Sequence, residues 1–489
     1  MKKYFWLLLS LFIISRFLFL ANYPHFYDSP EYYQLSQTNN FYQSVVQSHQ
    51  SIHPLYLFLI QVCQRLFGSF SHQPQILPVS FVSAIFGLIG FLVFYFLMKR
   101  LFNKRTALLS LVPLIFFPHL WLVQTNVLHE TVEQNLFLLG LLFFDMFLEK
   151  KKIALLTLAI ISWALAILNF IGILIWFPGI IGLIIFRSQR KNCLKNISWG
   201  FIAGLTSCLL SLMAIYKILL SSITDPLSRL KLLIIDHGGG NLLSGWTFLN
   251  LLRVLRNDWL IAVNGYSIFV TLAAILVFLN LLKEKQYRVL FLAVSFLIPF
   301  FLTGKFWYGG LFGRYSALVA YPLTLLLVNI PSKKIYWLTI CLLIIVFVPT
   351  FVAYQRTPIP NIQSSLINQS NLGKEDLLIL SDYQRPQLVY DNALYLNGDL
   401  ETQKKIETEI ETALGKSQKV LISQQAMTFP YWQYDGQQIH IISKGDKEKA
   451  QLKQFLNTKI VLLAAQNKKY PLLSIYQIKS TEINSLLNL

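Results

Sequence analysis

Two carboxylates stand three residues apart in Phe26-Tyr27-Asp28-Ser29-Pro30-Glu31-Tyr32-Tyr33, directly after the first apolar run of a chain of 489 residues. Further along, His129 and Glu130 share a short polar stretch, 124–134, with Glu133. Later still, Lys305 and Arg314 bracket Trp307-Tyr308 and a pair of glycines. His53 precedes Pro54, and His237 precedes a run of three glycines. A carboxylate can take the proton of an attacking hydroxyl, and a cation can hold a departing phosphate. On those grounds Asp28 fits a general base, while Glu31 and Glu130 fit helper acids or metal oxygens. Lys305 and Arg314 fit a phosphate grip. His53, His129, Tyr308 and His237 are further candidates for contacts to substrate or metal. Each has a plainer reading. Asp28 or Ser29 can cap the helix that Pro30 opens, and Arg314 can snorkel to lipid headgroups. His237 can be a residue of a flexible loop, and His53 can simply precede a helix started by Pro54.

The elements that must position these groups are apolar. Hydrophobic residues make up 55% of the chain and mean hydropathy is +0.52, the composition of an integral membrane protein. Net charge is +19 but unevenly spread: residues 1–354 hold 27 basic and 10 acidic side chains, residues 355–489 hold 15 and 13. The excess in the first part reads as topology and headgroup contact, and no nucleic-acid partner is expected. Four scattered cysteines indicate neither a disulfide framework nor a zinc site. No small-residue cleavage site follows the first apolar run, so it is expected to stay as a span.

Eleven spans are predicted, at about 4–21, 76–98, 106–123, 132–148, 153–169, 171–186, 197–220, 259–282, 289–304, 313–330 and 335–354. With the N-terminus inside, the basic clusters at 2–3, 99–105, 150–152, 187–195, 283–288 and 333–334 all fall on the inner side. Residues 54–67 are apolar but only 14 long, with Gln61, Gln64 and Arg65 among them. Counting them as a span would invert every later loop, so a helix lying in the outer interface is expected instead. The candidate acids and histidines then share the outer face. The inner face holds Asp145, Glu149 and Glu284.

Composition changes at about residue 355, where Thr357-Pro358-Ile359-Pro360 reads as a linker. Strands are expected at 376–380, 420–423, 438–443, 460–464 and 472–478, with helices at 400–414 and 446–456. That alternation predicts a small extracytoplasmic α/β domain at 355–489, beside a transmembrane module at 1–354. No motif assigns the small domain a task.

The order of these features resembles the C-type (GT-C) superfamily of glycosyltransferases that use polyprenyl-phosphate sugars. The nearest branch is that of the protein mannosyltransferases and the lipid A aminoarabinose transferases. The residues that carry the resemblance are Asp28-Ser29-Pro30-Glu31-Tyr32 after the first span and His53-Pro54-Leu55-Tyr56 opening a short apolar helix. A basic turn at 99–105, Gln124 with His129-Glu130 before the fourth span, and Gly313-Arg314-Tyr315 with Pro322 complete the series. In many relatives the first-loop acids are adjacent, whereas here Ser29 and Pro30 separate them. The resemblance covers about residues 1–330 and implies an outward-facing site with Asp28 as base, Glu31 and Glu130 as companion acids, and Arg314 with Lys305 at the donor phosphate. It also admits a divalent metal, which some relatives use and others do not.

The expected activity is inverting transfer of a sugar from a polyprenyl-phosphate donor to a lipid, glycan or protein acceptor, at the outer face of a bacterial cytoplasmic membrane. Two other classes compete. A transporter or flippase of a lipid-linked glycan would place ionisable groups near the bilayer midplane and often shows inverted repeats. An assembly role would make the outer acids dispensable.

Overall fold

The computed structural model describes residues 2–21, 29–38, 40–47, 53–68, 76–188, 190–221, 225–236, 247–303, 318–355, 359–381, 384, 390, 392–396, 400–428, 430–434, 439–443, 450–466, 468 and 473–480. The chain is mostly helical up to residue 369. In chain order the first helices are α1 (Lys2–Phe17), α2 (Ser29–Gln37), α3 (Phe41–Gln47), α4 (Pro54–Phe67), α5 (Leu77–Leu101) and α6 (Lys104–Phe116). They are followed by α7 (Pro118–Thr125), α8 (Glu130–Lys150), α9 (Ile153–Asn169), α10 (Pro178–Arg187) and α11 (Arg190–Leu220). Long apolar runs close into helices because in hydrocarbon every backbone group must find its partner within the segment. The turns between them are short and specific. Asn103 accepts the amide of Thr106 at 2.9 Å and so caps α6, and Lys151 takes φ 52°, which ends α8 and lets α9 start two residues on.

Among the described residues, Leu77–Leu101, Glu130–Lys150 and Asn192–Leu220 are long and apolar enough to cross a membrane. The number rises to at most five if each sharply bent pair counts as one crossing. Large apolar side chains on α11, among them Leu194, Phe201, Leu205 and Met213, face outward, as a helix wall against lipid requires.

Two expected spans are broken. Residues 106–123 are α6 and α7, meeting at 69° around Phe117. Residues 259–282 divide at Ser267, which takes φ 80° between the helices Phe248–Tyr266 and Ile268–Lys283. The first break follows from Pro118, which has no amide to give the carbonyl of Leu114. Arg16, fully buried on α1, supplies the missing donors. Its Nη2 donates to Leu114 O at 3.0 Å, Nη1 to Ile115 O at 2.7 Å and to Ser15 Oγ at 2.9 Å, and Nε to Gln124 Oε1 at 3.0 Å. The rings of Phe12 and Trp121 lie 4.4 and 5.3 Å from the guanidinium carbon. A planar fork with five donors suits two adjacent carbonyls in a way an ammonium does not.

The opposite end of α8 is held by charge. Asp145 is fully buried, and two arginines reach it from neighbouring helices. Arg100 of α5 lies 2.6 Å from Oδ2, and Arg187 of α10 lies 2.5 Å from Oδ1 and 3.0 Å from Oδ2. Arg100 also pairs with Glu149.

Residues 377–479 contain a five-stranded mixed sheet in the order β2-β1-β3-β7-β6. The strands are β1 (Leu377–Ser381), β2 (Ala393–Leu396), β3 (Val420–Ser423), β6 (Ile460–Ala465) and β7 (Ile475–Lys479), and β4 (Pro430–Tyr434) with β5 (Ile439–Ser443) forms a separate hairpin. β1 runs parallel to β2 and β3, and β7 is antiparallel to β3 and β6. Leu378, Leu380 and Leu421 pack on one face against Leu366 and Ile367, while Ile379, Val420 and Ile422 pack on the other against Ile406 and Ile410. β1 and β3 read as continuous apolar runs because both of their faces are covered, whereas Ile460, Leu462 and Leu463 of β6 are exposed. The strands β2 and β4 and the helix Ile359–Gln369 were not anticipated from the sequence, and the helix occupies part of the stretch read as a linker.

Replacing Arg16 by Met strips the donors from two buried carbonyls at about 1–3 kcal/mol each. The unfolding midpoint in detergent should fall clearly, and Arg16→Lys should recover only part of the loss. An unchanged midpoint in Arg16→Met would show that the break is held by something else.

Candidate functional site

The polar stretch 124–134 is not a solvent loop. Gln124, Asn126, His129, Glu130, Thr131, Glu133 and Gln134 are all buried, and Glu130 opens α8. Hydroxyl groups tie the stretch down from several sides. Ser29 Oγ donates to Val127 O at 3.1 Å, Ser83 Oγ to Leu128 O at 2.9 Å, and Thr131 Oγ1 to Val123 O at 2.8 Å. Arg16 grips the same segment through Gln124, so the broken helix and the acidic turn form one mechanical unit.

At its centre His129 lies between two carboxylates. Nδ1 is 2.9 Å from Glu133 Oε1 and Nε2 is 3.4 Å from Glu130 Oε1. The His53 ring stacks on His129 with centroids 3.5 Å apart and planes 18° from parallel. Tyr32 of α2 stands edge-on to both imidazoles, at 6.0 and 6.1 Å, and to Tyr56 at 5.0 Å. Phe170 closes the cluster at 5.7 and 5.4 Å from the two histidine rings.

Asn169, the last residue of α9, links these parts. Its Nδ2 donates to Glu133 Oε2 at 2.7 Å, its Oδ1 accepts the Tyr56 amide at 2.8 Å, and its own carbonyl lies 2.8 Å from His53 Nδ1. A carbonyl only accepts, so His53 carries a proton on Nδ1. The Tyr56 amide is one of the unpaired donors of the first turn of α4, and Asn169 caps it from another helix. Burial pushes the Tyr56 phenol well above its ordinary range. Ser83 opposes this and the Glu130 and Glu133 carboxylates add to it, so the hydroxyl stays protonated.

The short helix α4 has the 14-residue extent expected for it. The Nε2 of its Gln61 lies 3.1 Å from Leu35 O, 3.0 Å from Thr38 Oγ1 and 2.6 Å from Ser44 Oγ, sharing its two hydrogens among the three, and so joins α2 and α3 to α4.

Of the residues singled out from the sequence, the fold brings His53, His129 and Glu130 together. Glu31 lies in the first turn of α2, half-buried, next to the Tyr32 that packs on the pair. Asp28, His237, Lys305, Tyr308 and Arg314 lie outside the described residues. Two members of the cluster were not selected beforehand. Glu133 was visible four residues after His129, the spacing that puts both on one helix face. Asn169 carried a fainter signal, a single amide ending an otherwise apolar run. Among the described residues no group of three or more His, Cys, Asp or Glu side chains is arranged to hold a metal ion.

Residues 50–216 match the family model described as dolichyl-phosphate-mannose-protein mannosyltransferase. The match includes His53, His129, Glu130, Glu133 and Asn169. No curated protein matches the chain. Among solved structures, the oligosaccharyltransferase of Archaeoglobus fulgidus in complex with Zn and sulfate is similar, with TM-score 0.51 and 14% identity over 86% of this chain and 68% of that one. At that identity the likeness is one of fold. ArnT from Cupriavidus metallidurans, bound to undecaprenyl phosphate, aligns with TM-score 0.43 and 10% identity over 98% of both chains.

Replacing Asn169 by Leu keeps the volume and removes the hydrogen bonds to Tyr56 and Glu133, at roughly 1 kcal/mol each plus the cost of a less satisfied buried carboxylate. The unfolding midpoint should drop by an amount equivalent to roughly 2–4 kcal/mol. A midpoint equal to wild type would contradict the linking role.

Proposed function

We propose, for a chain whose resemblance to the C-type glycosyltransferases agrees with both the family match and the fold, that it transfers a sugar from a polyprenyl-phosphate-linked donor to an acceptor hydroxyl or amide. The observation that carries this reading is the gathering of His53, His129, Glu130 and Glu133 at one end of the helical bundle, inside the matched segment. The family description names a dolichyl-phosphate sugar, which supports a polyprenyl-phosphate donor here. Asp28, one residue before α2, acts as the base that takes the acceptor proton. The acceptor oxygen or nitrogen attacks the anomeric carbon from the side opposite the phosphate, the bond to the phosphate oxygen breaks, and configuration inverts. Arg314 and Lys305 hold the polyprenyl phosphate as its charge develops. Glu130 and Glu31 orient the acceptor or share in binding a divalent metal, with His129, His53, Tyr308 and His237 as neighbouring contacts.

The positive-inside tendency supports the orientation. The Asp145 end of α8 carries Arg100, Arg187 and the lysines at 150–152, so that end belongs inside and the His129 end outside. On the expected count of eleven spans with the N-terminus inside, the α/β part at 355–489 lies outside as well, where it can meet a lipid, glycan or protein acceptor, in a bacterial cytoplasmic membrane. Transport of an intact lipid-linked glycan fits less well. Asp145, a fully buried acid of the helical part, is neutralised by two arginines and has no charge left for a moving substrate.

The test gives purified wild type and Asp28→Asn a panel of polyprenyl-phosphate sugars and follows donor consumption. Wild type should consume at least one donor. Asp28→Asn should lose turnover by on the order of 100-fold or more, and Glu130→Gln should lose a smaller part. Full activity in Asp28→Asn would remove the base assignment.

A further inference from the structure

We propose that the α/β part carries a glycan-binding site at the amino ends of β1 and β2, shaped for a sugar chain that bears one anionic group. Its role as an acceptor subsite rests on the transferase reading, while the binding itself needs no reaction.

A cavity of about 600 Å³ opens between the end of the helix Ile359–Gln369, the turn at 370–374 and the entry to β2. It is lined by Asn368, Asn371, Asn392, Tyr390 and Lys374, with Ile367 and Leu372 as the apolar part of its wall. Small-molecule sites occupy roughly 300–1,000 Å³, so the volume fits a ligand rather than a few waters.

The frame of the cavity is fixed mostly by groups other than those it offers. Asp376 accepts the Gly373 amide at 2.7 Å and the Lys419 amide at 2.9 Å, which spends its carboxylate. Lys419 Nζ bonds the carbonyl of Ser370. Asn371 takes φ 50°, a left-handed turn that asparagine tolerates, and its main-chain amide donates to Asn368 O at 3.1 Å. Asn392 Nδ2 donates to Gly373 O at 3.2 Å and to Asp376 O, which ties the turn to β2 and leaves Asn392 Oδ1 as an acceptor. Tyr390 packs against the leucine face of the sheet. Among the described residues the side chains of Asn368, Asn371 and Lys374 have no hydrogen-bond partner.

The chemistry on offer is that of a sugar site. An asparagine amide presents an acceptor beside two donor hydrogens, and a sugar hydroxyl both gives and accepts. An aromatic side wall suits the C–H face of the same ring. Lys374 is the one charged residue of the lining, so an anionic substituent on the sugar gains a partner. The opposite edge of the sheet offers no such room. Open α/β sheets commonly take ligands beyond the carboxyl ends of their strands, but here Gln384 fills the ends of β1 and β3. Its Oε1 accepts the Ser381 amide at 2.8 Å and Ser423 Oγ at 2.7 Å, and all three residues are buried.

The experiment titrates full-length protein in detergent with trisaccharides of the common hexoses, each in a neutral form and in a form ending in a uronic acid. It reads saturation transfer to the sugar protons and the dissociation constant, with inorganic phosphate as competitor. Wild type should bind at least one sugar, its acidic form more tightly. Asn368→Ala with Asn371→Gly removes two amides at a helix end and at a left-handed residue that glycine suits. That variant should bind roughly tenfold more weakly or worse, with an unchanged unfolding midpoint. Lys374→Gln should remove the preference for the acidic form, and it decides the matter if the double variant does not fold. No binding across the panel, equal binding in wild type and variants, or phosphate displacing the acidic sugar while neutral sugars do not bind would each overturn the proposal. A protein that binds a sugar at these residues but consumes no donor would defeat the transferase reading alone. One that consumes a donor but binds no sugar of the panel would defeat this inference alone.

Discussion

The amide of Asn169 reaches Glu133 while its carbonyl reaches His53 and its Oδ1 the start of α4, and the geometry of the histidine end depends on that one residue. In water such bonds would be worth little, since solvent would replace them. Inside an apolar bundle each unsatisfied polar atom is costly, so a residue that satisfies three partners decides where three chain segments stop. It brings the end of α9, the entry to α4 and the first turn of α8 to one point. The stacked imidazoles and the two carboxylates are the consequence.

The same constraint shapes the rest of the helical part. Pro118 breaks a helix that must still account for its carbonyls, and Arg16 crosses from α1 to do so. Because Arg16 also holds Gln124, the break is rigid and the segment from Gln124 to Glu130 is delivered at a fixed height beside α8. At the far end of α8, Asp145 answers Arg100 and Arg187. The helix is thus pinned by a histidine–amide–carboxylate network at one end and by arginine–carboxylate pairs at the other. The polar network able to do chemistry lies at the end whose charges are not already consumed by arginines.

Much of this was legible in the chain. Apolar runs gave most helices within a few residues, and the covered strands at 377–381 and 420–423 were recognisable by their uninterrupted apolar residues. His53, His129 and Glu130 were chosen for their types and order, and the fold assembles them. What was not legible has a physical cause in each case. A polar stretch between two apolar runs looks the same whether water or protein satisfies it, so the burial of 124–134 was hidden. The break at Ser267 depends on one left-handed residue that carries no glycine to mark it. Asn169 reads as the polar end of a span until its partners from α4 and α8 are in view. β2 is four residues at a sheet edge, too short for a period to show.

The most direct measurement places the protein in sealed vesicles with a polyprenyl-phosphate sugar labelled separately in the lipid and in the sugar, together with an acceptor extract. Transfer at the histidine end predicts that the labels part, with the sugar leaving for the acceptor and polyprenyl phosphate staying in the membrane. If both labels remain on one molecule and that molecule changes leaflet, the chain is a transporter and the site has been misread.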